Sequence, residues 1–136
     1  MAAKIFVNLP VKDLKRSVDF FTKLGYTFNP QFTDENATCM IISEDIYVML
    51  LVEKFFKSFT KQDTCDTSKS NECILCLSAE SREEVDEMVS KAVAAGADAP
   101  YPKQEYDFMY GHGFRDLDGH LWEINWMDMS KMPAAH

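Results

Sequence analysis

Residues 4–26 decide the fold and read Lys-Ile-Phe-Val-Asn-Leu-Pro-Val-Lys-Asp-Leu-Lys-Arg-Ser-Val-Asp-Phe-Phe-Thr-Lys-Leu-Gly-Tyr. Residues 4–9 predict a strand, which we expect Pro10 to end because proline has no backbone N–H to donate to a sheet. Asp13 is a candidate N-cap for a helix with apolar residues at helical spacing, namely Leu14, Val18, Phe21 and Leu24. Gly25 suits the left-handed conformation that ends many helices.

The order of elements after this stretch is repeated about 70 residues later. Strands are predicted at 26–33, 37–43 and 46–52 in the first half. In the second half, a strand at 72–77 precedes a helix that begins with the capping box Ser81-Arg-Glu-Glu84 and ends at Gly96. Strands follow near 99–102, at 108–115 and at 120–126, with the turn Asp116-Leu-Asp-Gly119 before the last. The pattern predicts an α+β fold of two βαβββ modules whose sheets form a curved trough for a ligand.

The module boundaries follow from this repeat. We predict a single domain over residues 1–136, with module one at 1–53, module two at 72–130 and a C-terminal tail at 131–136. Residues 54–71 are mostly polar but contain Phe55, Phe56 and Phe59. They could form a plain linker, a mobile lid, or a helical turn that packs these rings on the core, and the sequence leaves these alternatives open.

Composition and charge restrict the class of partner. The net charge is -8 with no basic stripe, which argues against nucleic acid and anionic membranes as partners. The chain starts without a secretory signal pattern and has no apolar run of membrane-spanning length, so we expect a cytoplasmic protein with reduced cysteines. Strand alternation places Cys73 and Cys76 on opposite faces, which argues against a redox or zinc motif. Apolar strand edges and small size favour a homodimer.

Two segments carry a family resemblance. Residues 4–26 resemble the opening strand and helix of vicinal oxygen chelate proteins, the glyoxalase/bleomycin-resistance superfamily, and Phe114-Arg-Asp-Leu-Asp-Gly-His-Leu-Trp-Glu123 resembles their closing strand. The superfamily includes isomerases, epimerases, ring-cleaving dioxygenases, thiol transferases and drug-sequestering proteins, so the resemblance implies the fold more strongly than the activity.

The resemblance also implies where a metal ion would bind. Metal-using members hold the ion with one side chain from the first strand and one from the last strand of each module, positions that fall on Phe6, Met49, Glu72 and Glu123. A phenyl ring has no lone pair to donate, and a thioether binds hard divalent ions poorly. We therefore expect an incomplete metal site and no cofactor, with a divalent ion (Zn, Ni, Mn or Mg) bound by Glu72 and Glu123 as the alternative.

Strand alternation identifies the candidate site residues. It places Leu121, Glu123 and Asn125 on the ligand face, and Trp122, Ile124 and Trp126 on the face under a helix. Glu123 and His112 are the candidate acid/base groups, whereas His120 and His136 are expected to be structural or exposed. Predicted ligand-lining residues are Phe6, Asn8, Tyr47, Met49, Leu121 and Asn125. For those of module one, plain core packing in a closed trough is the alternative.

Three functions are compatible with these residues. The first is a protein that binds a small, partly apolar molecule without a complete metal site, with Glu123 as the polar anchor. The second is a divalent-metal-dependent lyase, isomerase or epimerase of the glyoxalase type that uses Glu123 and Glu72, with or without His112. The third is an interaction protein whose duplicated sheet mediates dimerisation. The sequence leaves open whether the chain is an enzyme.

Overall fold

The structure, a computed structural model, describes residues 3–131. Its elements in chain order are β1 (Ile5–Val11), α1 (Leu14–Lys23), β2 (Thr27–Asn29), β3 (Ala37–Ile41), β4 (Ile46–Val52), α2 (Glu53–Thr60), β5 (Ile74–Ser78), α3 (Arg82–Ala94), β6 (Gln104–Tyr106), β7 (Met109–Arg115) and β8 (Leu121–Met127). Short 3-10 turns occupy residues 30–32 and 129–131. Residues 132–136 of the predicted tail, including His136, lie outside the described residues.

The chain folds into two compact units that meet in sequence between Asp66 and Thr67. Each unit has one four-stranded mixed sheet, with strand order β1-β4-β3-β2 in the first and β5-β8-β7-β6 in the second. In each sheet the first strand of the unit is parallel to the last, and the remaining neighbours are antiparallel. The α+β fold with two βαβββ modules is therefore confirmed. None of the helices in residues 3–131 is long and apolar enough to cross a lipid bilayer.

Helix α1 covers one face of the first sheet. The Asp13 carboxylate accepts a hydrogen bond from the Arg16 amide at 3.1 Å, which confirms the predicted N-cap. Phe20 and Phe21 are both 2% exposed and are the large side chains that the helix buries. Gly25 has a φ of +104°, a conformation that L side chains rarely adopt, so the predicted helix end is confirmed as well.

Pro10 does not end β1, contrary to the prediction from sequence. The strand continues to Val11, and Pro10 pairs in register with Leu51 of β4. Strand β1 lies at the edge of its sheet, where one side of the strand needs no ladder partner within the unit. A proline can occupy such a strand because its missing N–H costs no hydrogen bond on the unpaired side.

Helix α3 covers one face of the second sheet and buries Val85, Val89 and Ala92. The predicted capping box is only half formed. The Ser81 hydroxyl accepts from the Glu84 amide at 3.1 Å, but the Glu84 carboxylate accepts from the Glu80 amide at 2.9 Å instead of the Ser81 amide. The Ser81 hydroxyl therefore caps the first turn of α3 as predicted, whereas the Glu84 carboxylate binds the amide one residue earlier than the predicted one.

Two sequence predictions differ from the structure in the connecting segments, and the structure answers to one of the alternatives left open for residues 54–71. β5 begins at Ile74, so Glu72 precedes the strand. β6 lies at 104–106, not near 99–102, where Pro100 and Pro102 cannot supply ladder donors. The first seven residues of the predicted linker belong to helix α2, so the helical alternative applies to 53–60. Phe56 and Phe59 of this helix border a small cavity with Leu51, and a lid role stays a prediction.

Candidate functional site

The face of the second sheet opposite α3 carries an open cavity of about 730 Å³. This volume is within the range of about 300–1,000 Å³ that is usual for small-molecule sites. Its lining includes Asn71, Glu72, Cys73, Ile74, Tyr101, Pro102, Gln104, Arg115, Leu121, Glu123 and Asn125. The three β8 residues in this set alternate along the strand, as predicted, while Trp122 and Ile124 between them are buried.

Two glycines of β7 form the floor of this cavity. Gly111 pairs with Asn125, and Gly113 pairs with Glu123. A Cβ atom at Gly111 would lie 2.1 Å from the Asn125 Oδ1 atom, and a Cβ atom at Gly113 would lie 2.8 Å from the Trp122 carbonyl oxygen and 3.3 Å from the Glu123 Cγ atom. The side chains of Glu123 and Asn125 therefore lie over β7, in space that any other residue at these two positions would occupy.

Glu123 is half-buried in the cavity. Its carboxylate has no hydrogen-bond donor and no ion-pair partner among residues 3–131. A carboxylate in a cavity with no protein partner is available to a donor group of a ligand or to a proton.

Cys76 lies beside Glu123 in the β5–β8 register. Its Sγ atom accepts a hydrogen bond from Asn125 Nδ2 at 3.1 Å. Partial burial, and next the nearby Glu123 carboxylate, raise the pKa of the Cys76 thiol above 9.0. The thiol is therefore protonated at neutral pH and is a weak nucleophile. All four cysteines are free thiols, as expected, and a redox role for the C-x-x-C spacing gains no support.

Arg115 is a cavity residue that the sequence interpretation missed. Its Nη1 group donates to Asn71 Oδ1 at 2.8 Å and to the Gly119 carbonyl at 3.1 Å, and its Nη2 group donates to the Tyr101 hydroxyl at 2.9 Å. The guanidinium also lies over the Tyr101 ring, 5.6 Å from its centroid. The available signal was strand alternation, which places Arg115 on the same face of β7 as Gly111 and Gly113.

The side chains of His112 and Glu123 lie on opposite faces of the second sheet. His112 pairs with Ile124, so alternation directs its ring to the α3 face of the sheet, although the residue also borders the main cavity. There it borders a second cavity of about 410 Å³ with Asp86 and Ser90 of α3. Its Nε2 atom is 3.1 Å from the Tyr101 carbonyl, and its Nδ1 atom is buried without a hydrogen-bond partner in the described chain.

The candidate residues of module one share the face of the first sheet opposite α1. Phe6 stacks on Tyr47 with centroids 4.8 Å apart and remains 48% exposed. Asn8 donates to the Phe6 carbonyl at 3.0 Å and pairs in register with Met49, which is half-buried. These side chains form an apolar surface, so the packed-core alternative does not describe Phe6.

The donor set does not fit the metal site of metal-using relatives. The β1–β4 register pairs Met49 with Asn8, and the β5–β8 register pairs Glu123 with Cys76. Because Phe6 precedes Asn8 by two residues, its equivalent in module two is Ile74, two before Cys76. Glu72 borders the cavity but precedes the strand. Only Glu123 offers an oxygen at these positions, and residues 3–131 contain no group of three His, Cys, Asp or Glu side chains that could hold an ion.

Comparisons with known proteins agree with this architecture. A family model described as bleomycin resistance protein-like N-terminal matches residues 5–43. No curated protein sequence matches the chain significantly. The solved structure of hypothetical protein SA1046 from S. aureus is 30% identical, with a TM-score of 0.78 over 93% of this chain and 95% of that one.

More distant structures show the same fold. A glyoxalase/bleomycin resistance protein/dioxygenase family enzyme from Burkholderia phytofirmans PsJN is 17% identical, with a TM-score of 0.79 over 93% of this chain and 99% of that one. The fosfomycin resistance protein FosX from Mesorhizobium loti is 13% identical, with a TM-score of 0.69 over 96% and 97% of the two chains. With its two βαβββ units and its matching first module, the chain belongs to the vicinal oxygen chelate superfamily of glyoxalase/bleomycin-resistance-like proteins.

Proposed function

We propose that the chain binds a small, partly apolar molecule in the cavity of the second sheet, with Glu123 as the principal polar anchor and without a complete metal site. One observation carries this proposal: the Glu123 carboxylate stands in a cavity of about 730 Å³ and lacks a partner among residues 3–131. An ionised group that is partly removed from water needs a compensating partner, which a ligand can supply.

The shape and chemistry of the lining support a bound organic molecule. Ile74, Pro102 and Leu121 offer apolar surface, whereas Glu123 and Asn125 offer polar atoms on the same face. This combination of apolar walls with a few convergent polar groups is typical of small-molecule sites. The apolar surface of Phe6, Tyr47 and Met49 in module one is a further predicted ligand surface.

The metal-dependent alternative is less well supported by the donor positions. It uses Glu123 and Glu72, with or without His112. Glu72 precedes its strand, and the His112 ring is directed to the other face of the sheet. We therefore assign Glu123 a binding role and derive no step that runs through an ion. Family membership also supports a small-molecule partner. We further propose that the protein is a homodimer in the cytoplasm. Light scattering coupled to size-exclusion chromatography tests the dimer.

A ligand screen tests the proposal directly. Protein prepared without a histidine tag is screened by thermal shift against drugs, planar phenols and thiol conjugates, and each hit is repeated on Glu123→Gln. The matched control is Glu35→Gln, which removes the same charge at an exposed position of the first unit. A ligand at 100 times its Kd stabilises the folded state by about 2.7 kcal/mol, so a hit raises the midpoint measurably.

The expected result is a midpoint increase that Glu123→Gln reduces and Glu35→Gln leaves unchanged. Metal analysis of the same preparation is expected to show no stoichiometric divalent ion. A tightly bound ion that Glu123→Gln removes would overturn the proposal, as would a panel in which no compound moves the midpoint, the latter favouring the interaction-protein alternative.

A further inference from the structure

The Arg115 side chain is held in place by hydrogen bonds to neutral groups and not by an ion pair with a carboxylate. Its three hydrogen bonds go to an amide oxygen, a carbonyl oxygen and a hydroxyl oxygen, all uncharged. In the described part of the chain it has no carboxylate within ion-pair distance, although 22 acidic residues occur in the sequence. A cation that is held in place by neutral acceptors keeps its full charge available to the cavity.

The guanidinium also retains free hydrogen-bonding capacity. Arginine has five N–H donors, and the three bonds to Asn71, Gly119 and Tyr101 use three of them. Two N–H groups are left over, one on Nη2 and the one on Nε, for which residues 3–131 supply no acceptor. A pair of N–H groups in the plane of a guanidinium matches the two oxygens of a carboxylate or of a phosphate.

The position of Glu123 restricts the type of anion. Arg115 pairs with Leu121, and Glu123 is two residues further along β8 on the same face. Such diagonal neighbours are about 7–8 Å apart between Cα atoms, so one small molecule can reach both side chains. With Glu72 and Glu123 against Arg115, the charged lining has a net charge of about -1 if all three are ionised. A dianionic phosphate meets more repulsion here than a monoanionic carboxylate.

We propose that Arg115, positioned by Asn71 and Tyr101, is an anion subsite of the cavity, and that the ligand is a small carboxylate that also bears a hydroxyl or ammonium group. The carboxylate binds the Arg115 guanidinium, and the hydroxyl or ammonium group donates to Glu123. This inference rests on the proposed function, since it names the chemistry of the molecule bound there.

A matched set of probes with the same aromatic body tests the inference. Hydrocinnamate carries only the carboxylate, phenyllactate adds a hydroxyl, hydrocinnamyl alcohol lacks the anion, and phenethylphosphonate replaces the carboxylate with a phosphonate. Titrations followed by ¹H–¹⁵N NMR report on the cavity itself, because Gly111 and Gly113 lie in its floor and glycine amides are readily resolved. The variants are Arg115→Gln, Arg115→Lys and Glu123→Gln, and Lys54→Gln is an exposed control for the loss of one positive charge.

In the wild-type chain, phenyllactate is expected to bind most tightly, followed by hydrocinnamate, with the phosphonate and the alcohol weaker. Arg115→Gln weakens the two carboxylates about 10- to 100-fold and leaves the alcohol unchanged, while Arg115→Lys weakens them less. Glu123→Gln reduces the advantage of phenyllactate over hydrocinnamate, because a neutral amide oxygen accepts a weaker hydrogen bond than a carboxylate. If Arg115→Gln fails to fold, Tyr101→Phe keeps the guanidinium but removes one positioning contact, and weakens the carboxylates about 2- to 10-fold.

The outcomes separate this inference from the proposed function. If the alcohol shifts Gly111 and Gly113 and the carboxylates bind no more tightly, the anion subsite is refuted and the cavity is still a binding site. A preference for the phosphonate, or equal affinities in wild type and in Arg115→Gln, also refutes the carboxylate assignment. If no probe perturbs either glycine at millimolar concentration, both the subsite and the proposed cavity fail.

Discussion

Replacing Asp116 with alanine is expected to destabilise the second unit strongly. The Asp116 Oδ2 atom accepts from the Trp122 indole Nε1 at 2.9 Å, and its Oδ1 atom accepts from the amides of Asp118 and His120 at 2.9 and 3.0 Å. Trp122 is 1% exposed, so removal of the carboxylate takes away the hydrogen-bond partner of a buried indole N–H. The single side chain thus fixes the turn between β7 and β8 and anchors the largest core residue.

The magnitude follows from these contacts. A buried donor left unsatisfied costs about 1–3 kcal/mol, and each of the two turn amides loses a bond worth about 0.5–1.5 kcal/mol, less where water replaces the carboxylate. Burial raises the pKa of Asp116 above 3.8 despite the opposing effects of His120 and the three N–H donors, so removal of the carboxylate also relieves a desolvation cost. We expect a net loss of about 2–4 kcal/mol, or a fall in Tm of roughly 10 °C.

Urea denaturation followed by tryptophan fluorescence and circular dichroism measures this loss. Trp122→Phe removes the indole N–H and leaves an aromatic ring to stack on Phe114, so the double variant with Asp116→Ala is expected to show a coupling of about 1–2 kcal/mol. Additive effects of the two substitutions, or a cost of Asp116→Ala below about 0.5 kcal/mol, would refute the reasoning.

The ionisation of Asp116 gives a second measurement on the same residue. Because the folded-state pKa is raised, folding favours the protonated carboxyl, and this contribution is fully present below the unfolded pKa near 3.8. It is lost as the pH rises through the folded pKa. The stability of the wild type relative to Asp116→Asn, which cannot ionise, should therefore decrease as the pH rises from 3.8 through the raised folded-state pKa of Asp116. A constant difference would contradict the raised pKa.

Two further predictions concern the glycine turns and a surface acid. Gly119 (φ +81°) and Gly25 (φ +104°) both need a glycine backbone, but a Cβ atom at Gly119 would lie 2.4 Å from Thr67 Oγ1, whereas one at Gly25 has nothing within 4 Å. Gly119→Ala should therefore cost about 1–2 kcal/mol more than Gly25→Ala in urea denaturation, and equal costs would contradict the close approach. The hydrogen bond from the Tyr110 hydroxyl lowers the pKa of Asp86 below 3.8. The wild type should be more stable than Asp86→Asn above pH 3.8, and this difference should be lost as the pH falls through the folded-state pKa of Asp86. Urea denaturation at a series of pH values measures the difference.

Local chemistry made several elements predictable from the sequence. The bounds of β4 match the predicted strand at 46–52, because a run of seven apolar residues is short for a helix and is rich in β-branched and aromatic side chains. The Asp13 cap and the glycines at 25, 96 and 119 were identified because each depends on a residue type that one backbone conformation requires. Alternation along β8 also placed Leu121, Glu123 and Asn125 on one face.

Features set by distant partners were not predictable in this way. Whether Pro10 ends a strand depends on whether that strand is at an edge, which only the sheet order decides. The position of Glu72 depends on the pairing of β5 with β8, and the register moves the equivalent of Phe6 to Ile74. Arg115 is recognisable as a fixed cation only when its partners, 44 and 14 residues away in sequence, are known.

The two sheets have the same topology but carry different types of side chain on their equivalent faces. Both have the same strand order, and each leaves one face free of its own module's first helix. On the first of these faces stand Phe6, Asn8, Tyr47 and Met49, and on the second stand Arg115 and Glu123. The alternation of side chains along a strand determines which face of the sheet a residue lies on, but not whether that residue is apolar or charged. The two charged side chains are thus in module two, where the two glycines of β7 leave room for Glu123 and Asn125. Substitutions on that face should therefore change ligand affinity far more than those that exchange one apolar residue for another on the first.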